Sequence, residues 1–130
     1  MIQIRSLDHL VLTVADIAAT CAFYTRVLGM RKVVFGEGRH ALAFGHHKIN
    51  LHQYKAEFEP KAQRPTPGSA DFCLLTDTPL EEILRHLGDC GVPVVEGPVG
   101  RTGATGSLTS IYIRDPDGNL VELARPQAKG

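Results

Sequence analysis

Four polar residues interrupt apolar runs of the sequence. His9 precedes Leu10-Val11-Leu12, Asn50 lies between Ile49 and Leu51, Asp71 precedes Phe72-Cys73-Leu74-Leu75, and Glu122 lies between Val121 and Leu123. An imidazole, a carboxamide and two carboxylates are hard and borderline donors, suited to a divalent cation or to the polar atoms of a small substrate. An ionised carboxylate inside a strand is costly unless it is paired, hydrogen-bonded or bound to metal. Taken singly, His9 also reads as a satisfied strand histidine and Glu122 as a solvated strand residue. The argument for chemistry therefore needs a fold that brings the four together.

An internal repeat supplies one. His9-Leu10-Val11-Leu12-Thr13 lies over Asp71-Phe72-Cys73-Leu74-Leu75, and without gaps the same shift lays Asp16 on Thr78 and Gly29 on Gly91. In both copies an apolar run is followed by a capping residue, an amphipathic stretch and a glycine. Asp16 and Thr78 are side chains that cap helices, and Pro79 and Glu81 suit the first helical position and a capping box. Ile17, Cys21, Tyr24, Val27 and Leu28 recur at helical spacing, as do Leu80, Ile83, Leu84 and Leu87. Gly29 and Gly91 can close their helices in the left-handed conformation. Extended runs follow at 31–35, 41–44 and 48–53 in the first copy, and at 92–95, 108–114 and 119–124 in the second. Each copy thus reads as strand, helix, strand, strand, strand. Module 1 spans about 4–56 and module 2 about 70–126, and the proline-bearing segment 57–69 links them within one domain, 1–130.

The last strands of the copies also align, Ile49-Asn50-Leu51 over Val121-Glu122-Leu123, so the repeat nominates His9, Asn50, Asp71 and Glu122 as equivalent positions. Strand alternation agrees. Leu10, Leu12 and Val14 suit the face packed on a helix, leaving His9 opposite. Phe72 and Leu74 leave Asp71 opposite, Ile49 and Leu51 leave Lys48, Asn50 and His52 opposite, and Val121 and Leu123 leave Glu122 opposite. If that face curves inward, these groups converge.

Composition excludes other classes. The 130 residues carry 14 basic and 14 acidic side chains, and the zero net charge argues against nucleic acid or an anionic membrane surface as partner. No run approaches the roughly 20 apolar residues of a membrane span, and Met1-Ile2-Gln3-Ile4-Arg5 is unlike a signal peptide. Cys21, Cys73 and Cys90, odd in number and set in apolar segments, read as reduced core residues of a cytoplasmic protein.

Leu7-Asp8-His9-Leu10-Val11-Leu12 and Asp115-Pro116-Asp117-Gly118-Asn119-Leu120-Val121-Glu122-Leu123 resemble the vicinal oxygen chelate superfamily. That superfamily includes glyoxalase I, extradiol dioxygenases, and fosfomycin- and bleomycin-resistance proteins. The stretch from Lys48-Ile49-Asn50-Leu51-His52 to Asp71 further resembles its small branch called glyoxalase domain-containing protein 5. The resemblance implies an α+β fold of two tandem βαβββ modules, forming a curved mixed sheet around an open cavity with the helices outside. It also implies a divalent metal held by first-strand and fourth-strand residues. His9 and Glu122 match the family pattern. Asp71 stands where the family often has His, and Asn50 stands where glyoxalase I carries a ligand Glu.

The implied ligand set is His9, Asp71 and Glu122, holding Zn, Ni, Mn or Fe as a Lewis acid for neighbouring oxygens of a small oxygenated metabolite. Glu122 and His52 are the proton-transfer candidates. Asn50, Arg101, Thr102 and Tyr112 are the substrate-binding ones, with Arg101 and Thr102 in a glycine-rich loop over 97–107 that could clamp an anion. His52 could also supply an imidazole that Asp71 lacks. The expected function is a metal-dependent lyase, isomerase or dioxygenase. The alternative is a metal-free protein that binds or sequesters a small molecule, as bleomycin-resistance members do. Exposed strand edges, and the habit of the relatives, imply a homodimer.

Overall fold

Apolar alternation and the helix-capping pattern fold as two successive units of the same plan. In the computed structural model, which describes residues 1–127, the elements are β1 (His9–Val14), α1 (Ile17–Leu28), β2 (Arg31–Phe35), β3 (Arg39–Phe44) and β4 (His47–Gln53), then β5 (Asp71–Leu75), α2 (Leu80–Asp89), β6 (Glu96–Thr102), β7 (Ser107–Arg114) and β8 (Leu120–Pro126). The chain divides into compact units, Met1–Pro67 and Gly68 onward. Each contains one four-stranded mixed sheet, ordered β1-β4-β3-β2 in the first and β5-β8-β7-β6 in the second.

The strand registers carry the repeat into three dimensions. β1 runs parallel to β4 with His9 beside Lys48 and Val11 beside Asn50. β5 runs parallel to β8 with Asp71 beside Leu120 and Cys73 beside Glu122. The shifts that superpose the two halves of the sequence superpose these pairs as well.

In the first unit the Asp16 carboxylate caps α1 by accepting the Ala19 N–H at 3.1 Å, and Gly29 ends the helix at φ 67°. α1 lies against β2, β3 and β4. Thr20, Cys21, Tyr24 and Val27 of the helix are buried, as are Leu12, Val14, Leu42, Ile49 and Leu51 of the sheet. Each fully buried Leu or Ile contributes about 1.5–3 kcal/mol through removal from water. The segment expected to link the modules turns back onto this unit at its start. Phe58 packs edge-on against His52 at 5.9 Å, and Lys61 lies 3.5 Å from the Glu57 carboxylate.

The second unit departs from the sequence expectations in three ways. Thr78 does not cap α2: Pro79 holds the N-cap position without a side-chain bond, and the Thr78 hydroxyl meets that of Thr76 at 3.1 Å. Glu81 and Glu82 face the positive end of the helix instead. Gly91, as expected, is left-handed at φ 71°. The sixth strand lies at Glu96–Thr102, not at 92–95, so most of the presumed glycine-rich loop is an edge strand paired with β7. Its register shifts between Glu96 and Val99, and a bulged edge strand tolerates Pro98, which has no N–H for a ladder. Gly97 is required there because a Cβ would strike the Ser110 carbonyl oxygen, and its φ is 111°. No disulfide joins the three cysteines among the described residues: Cys21 is core, Cys73 is exposed and Cys90 half-buried.

The turn between β7 and β8 is built around a buried carboxylate. Asp115 Oδ1 accepts the N–H groups of Asp117 (2.9 Å) and Asn119 (3.0 Å), and Oδ2 accepts Asn119 Nδ2 at 2.8 Å. Asn119 Oδ1 in turn accepts the Ala70 N–H at 2.9 Å, which ties the start of β8 to the residue preceding β5. Asp115→Ala would leave three buried donors without their acceptor. Urea unfolding should show a loss of about 3 kcal/mol, with Asp115→Asn recovering part of it. A loss below the scatter of surface variants would contradict this account of the turn.

Candidate functional site

Strand alternation settles which side chains share a face. In the second unit Phe72, Leu74, Val121, Leu123, Ile111 and Ile113 take one face, leaving Asp71, Cys73, Glu122, Ser110, Tyr112 and Arg101 on the other. Glu122 is the centre of that polar face. Cys73 flanks it on β5 and Tyr112 on β7, and the Ser110 hydroxyl donates to its Oε2 at 2.6 Å. Asp71 is its diagonal neighbour across the parallel pair. Beside Glu122 and Cys73 opens a cleft of about 850 Å³, lined also by Leu75, Thr102, Leu108 and the Gly103–Gly106 turn.

Electrostatics in this cleft follow from the carboxylate. Partial desolvation at the cleft wall, and then the charge and hydrogen bond of Glu122, push the Cys73 thiol up to about 11, which favours its protonated form at neutral pH. Arg101 does not sit in a loop. It lies on β6 with Nε donating to Tyr112 Oη at 3.0 Å and Nη2 at 3.4 Å from Glu96. The Tyr112 hydroxyl, followed by the Glu96 and Glu122 charges, holds its pKa above the usual value. Thr102 borders the cleft at the end of the same strand.

In the first unit the corresponding face carries His9, Val11 and Thr13 on β1 and Lys48, Asn50 and His52 on β4. His9 Nδ1 lies 2.8 Å from Asp8 Oδ1, and that bond keeps the Asp8 carboxyl below its ordinary range. A carboxylate on Nδ1 is the arrangement that leaves Nε2 free as a donor atom. Asn50 is 5% exposed, and its Oδ1 is buried without a hydrogen-bond donor. His52 is 3% exposed, with Nε2 at 3.4 Å from Arg39 Nη2. Burial first and the Arg39 charge second depress its pKa, so the ring is neutral at pH 7. A further cleft of about 320 Å³ opens on His52 beside Val11, Thr13 and Pro60.

The structure thus brings Glu122, Tyr112 and Arg101 together in one unit and Asn50 and His52 in the other. Sequence reasoning missed Ser110, Asp8 and Arg39. Ser110 shares the parity of Tyr112 along β7 and was legible in that sense, whereas nothing local marks Arg39 as the partner of His52. Among the described residues no group of three or more His, Cys, Asp or Glu side chains is gathered that could hold a metal ion, so neither unit by itself presents a full ligand set. The carboxylates of Asp71 and Glu122, neighbours on one face of the second sheet, are donor types that suit a divalent ion.

Residues 6–123 match the Glyoxalase/Bleomycin resistance protein/Dioxygenase superfamily. The chain is 58% identical over 122 residues to virulence protein STM3117 of Salmonella typhimurium, covering 94% of this chain and 85% of that protein. The crystal structure of the Salmonella protein superposes with a TM-score of 0.95, at 56% identity over 97% of this chain and 100% of that one. Glyoxalase domain-containing protein RDO1 of Mycosarcoma maydis is 56% identical over 126 residues, 97% of this chain and 71% of that protein. A lactoylglutathione lyase from Agrobacterium tumefaciens superposes with a TM-score of 0.72 at 25% identity, covering 95% of each chain. The chain belongs to the glyoxalase/bleomycin resistance protein/dioxygenase superfamily.

Proposed function

We propose that the protein is a metal-dependent enzyme of the lyase, isomerase or dioxygenase kind, acting on a small metabolite with neighbouring oxygens. Members of the superfamily commonly use divalent metals and bind small molecules. The observation that carries the reading is Glu122, a carboxylate on the polar face of the second sheet, anchored through Oε2 by Ser110 and bordering the larger cleft. His9, Asp71 and Glu122 would hold the ion, of Zn, Ni, Mn or Fe type. When bound it would supply Lewis acidity towards substrate oxygens.

The chain's own groups divide the remaining work. Ser110 fixes the Glu122 carboxylate while leaving Oε1 to accept a proton or ligate. His52, kept neutral by burial and Arg39, is able to take up a proton. Because Arg101 donates to the Tyr112 oxygen, the phenol's own proton is left for a substrate oxygen. Asn50 offers a carbonyl oxygen in want of a donor, which suits a substrate hydroxyl better than a cation site requiring charge. Thr102 closes one side of the cleft.

A second reading is a metal-free protein that binds or sequesters a small molecule. It is favoured by the apolar part of the same cleft, Leu75, Leu108 and Pro126, and by the incomplete ligand set of either unit. Elemental analysis of the purified, metal-reconstituted protein separates the two. The enzyme reading expects near-stoichiometric metal that falls several-fold in His9→Ala and in Glu122→Ala. Low metal, identical in all three proteins, favours the binding reading.

The state of His52 has a pH signature. Its folded pKa is depressed, so the unfolded chain binds the proton more readily. The resulting stability is present above the ordinary histidine value, near about 6.5, and is lost as pH falls below it. Between about pH 7.5 and about 5.5, His52→Gln should lose less stability than the parent in chemical unfolding. Parallel losses would contradict a buried neutral imidazole.

Superfamily members often form dimers, and each sheet ends in edge strands, β1 and β2 in one and β5 and β6 in the other. A homodimer follows as part of the proposal. No helix among the described residues is long and apolar enough to cross a membrane. Sedimentation at micromolar concentration should give twice the 14.1 kDa chain mass; a monomer would contradict it.

A further inference from the structure

The polar face of the first sheet carries two cations, Arg39 and Lys48, that no carboxylate contacts among the described residues. Cross-strand register places Phe35 beside Arg39, and Ala41 beside Asn50, while alternation puts Lys48, Asn50 and His52 of β4 on the same face. The Arg39 guanidinium stands 5.2 Å from the Phe35 ring centre and 5.0 Å from that of Phe58. Lys48 Nζ stands 3.9 Å from the same Phe35 ring. Two cations thus share one aromatic ring.

Neither is matched by a carboxylate. Among the described residues the ion pairs of this unit are His9 with Asp8, and Lys61 with Glu57 and Glu59. Asp8, the acid that feels the Lys48 charge, is hydrogen-bonded to His9. Glu57 and Glu59, the acids that act on His52, are both engaged by Lys61. His52 touches Arg39 as a neutral ring and brings no negative charge. A half-buried guanidinium without an anion is an unfavourable arrangement that a bound anion would relieve. The guanidinium of Arg39, close to two aromatic rings, also presents a planar fork of donors that matches a carboxylate. Next to it Asn50 keeps a buried oxygen without a donor, as a hydroxyl beside that carboxylate would supply.

We infer that the first unit is an anion subsite in which Arg39, assisted by Lys48, receives the carboxylate of the substrate, so that the metabolite is a small carboxylic acid with a neighbouring oxygen. This rests on the small-oxygenated-substrate reading above and specifies it. A cleft of about 320 Å³ opens on His52, the residue that Arg39 touches, and is of a size for a small metabolite.

Isothermal titration with pyruvate, lactate and glycolate, each against its uncharged methyl ester, tests the inference. At least one acid should bind and its ester should not. Arg39→Met should weaken that acid about tenfold or more, as expected for loss of a charged hydrogen-bonded pair. Arg39→Lys, which keeps the charge and guards against a folding defect, should also weaken it, and Lys48→Met to a smaller degree. No binding by any of the acids, ester binding equal to acid binding, or affinity unchanged in Arg39→Met and Arg39→Lys would overturn the subsite. Metal content should be unchanged in Arg39→Met, whereas it falls in His9→Ala and Glu122→Ala. Failure here is therefore distinguishable from failure of the metalloenzyme reading.

Discussion

Parallel pairing of the first and last strand of each unit is the constraint on which the rest depends. It puts β1 beside β4 and β5 beside β8 in equivalent registers, so residues far apart in sequence become neighbours on one face. Helices and apolar side chains occupy the opposite face. His9 and Asn50 are thereby placed on one surface of the first sheet, and Asp71 and Glu122 on one surface of the second. In the second unit the Asp115–Asn119 turn holds this pairing at its end, because Asn119 spans from the Asp115 carboxylate to the Ala70 amide. Much of the family-like stretch from Asp115 to Leu123 is therefore structural.

The two units share a plan and differ in charge. His9 and Asn50 in the first correspond to Asp71 and Glu122 in the second. Around them the first face carries Arg39, Lys48 and a neutral His52, whereas the second carries carboxylates with Arg101 tied to Tyr112 and Glu96. The side chains around equivalent positions thus differ although the backbone that positions them follows the same plan.

Much of this was legible in the sequence because it depends on local chemistry. Asp16 and Gly29 bound α1 by capping and left-handed closure, and period-two alternation assigned His9, Asn50, Asp71 and Glu122 to faces correctly. What failed depended on neighbours distant in the chain. Pro98 and its surrounding glycines read as a loop, yet an edge position and a bulge admit them to a strand whose partner is β7. Thr78 had the composition of a cap, but Thr76 competes for its hydroxyl and Pro79 takes the position. The hydrogen bond from Ser110 to Glu122 and the closeness of Arg39 to Phe35 and Phe58 arise across strands and from a returning segment, where no local spacing announces them.

The most direct test of the account is anomalous X-ray diffraction from crystals of the protein grown with Mn²⁺. A single strong peak bonded to the Glu122 carboxylate is the expected result. A peak at the adjacent imidazoles of His46 and His47 instead, or none at a carboxylate, would contradict it.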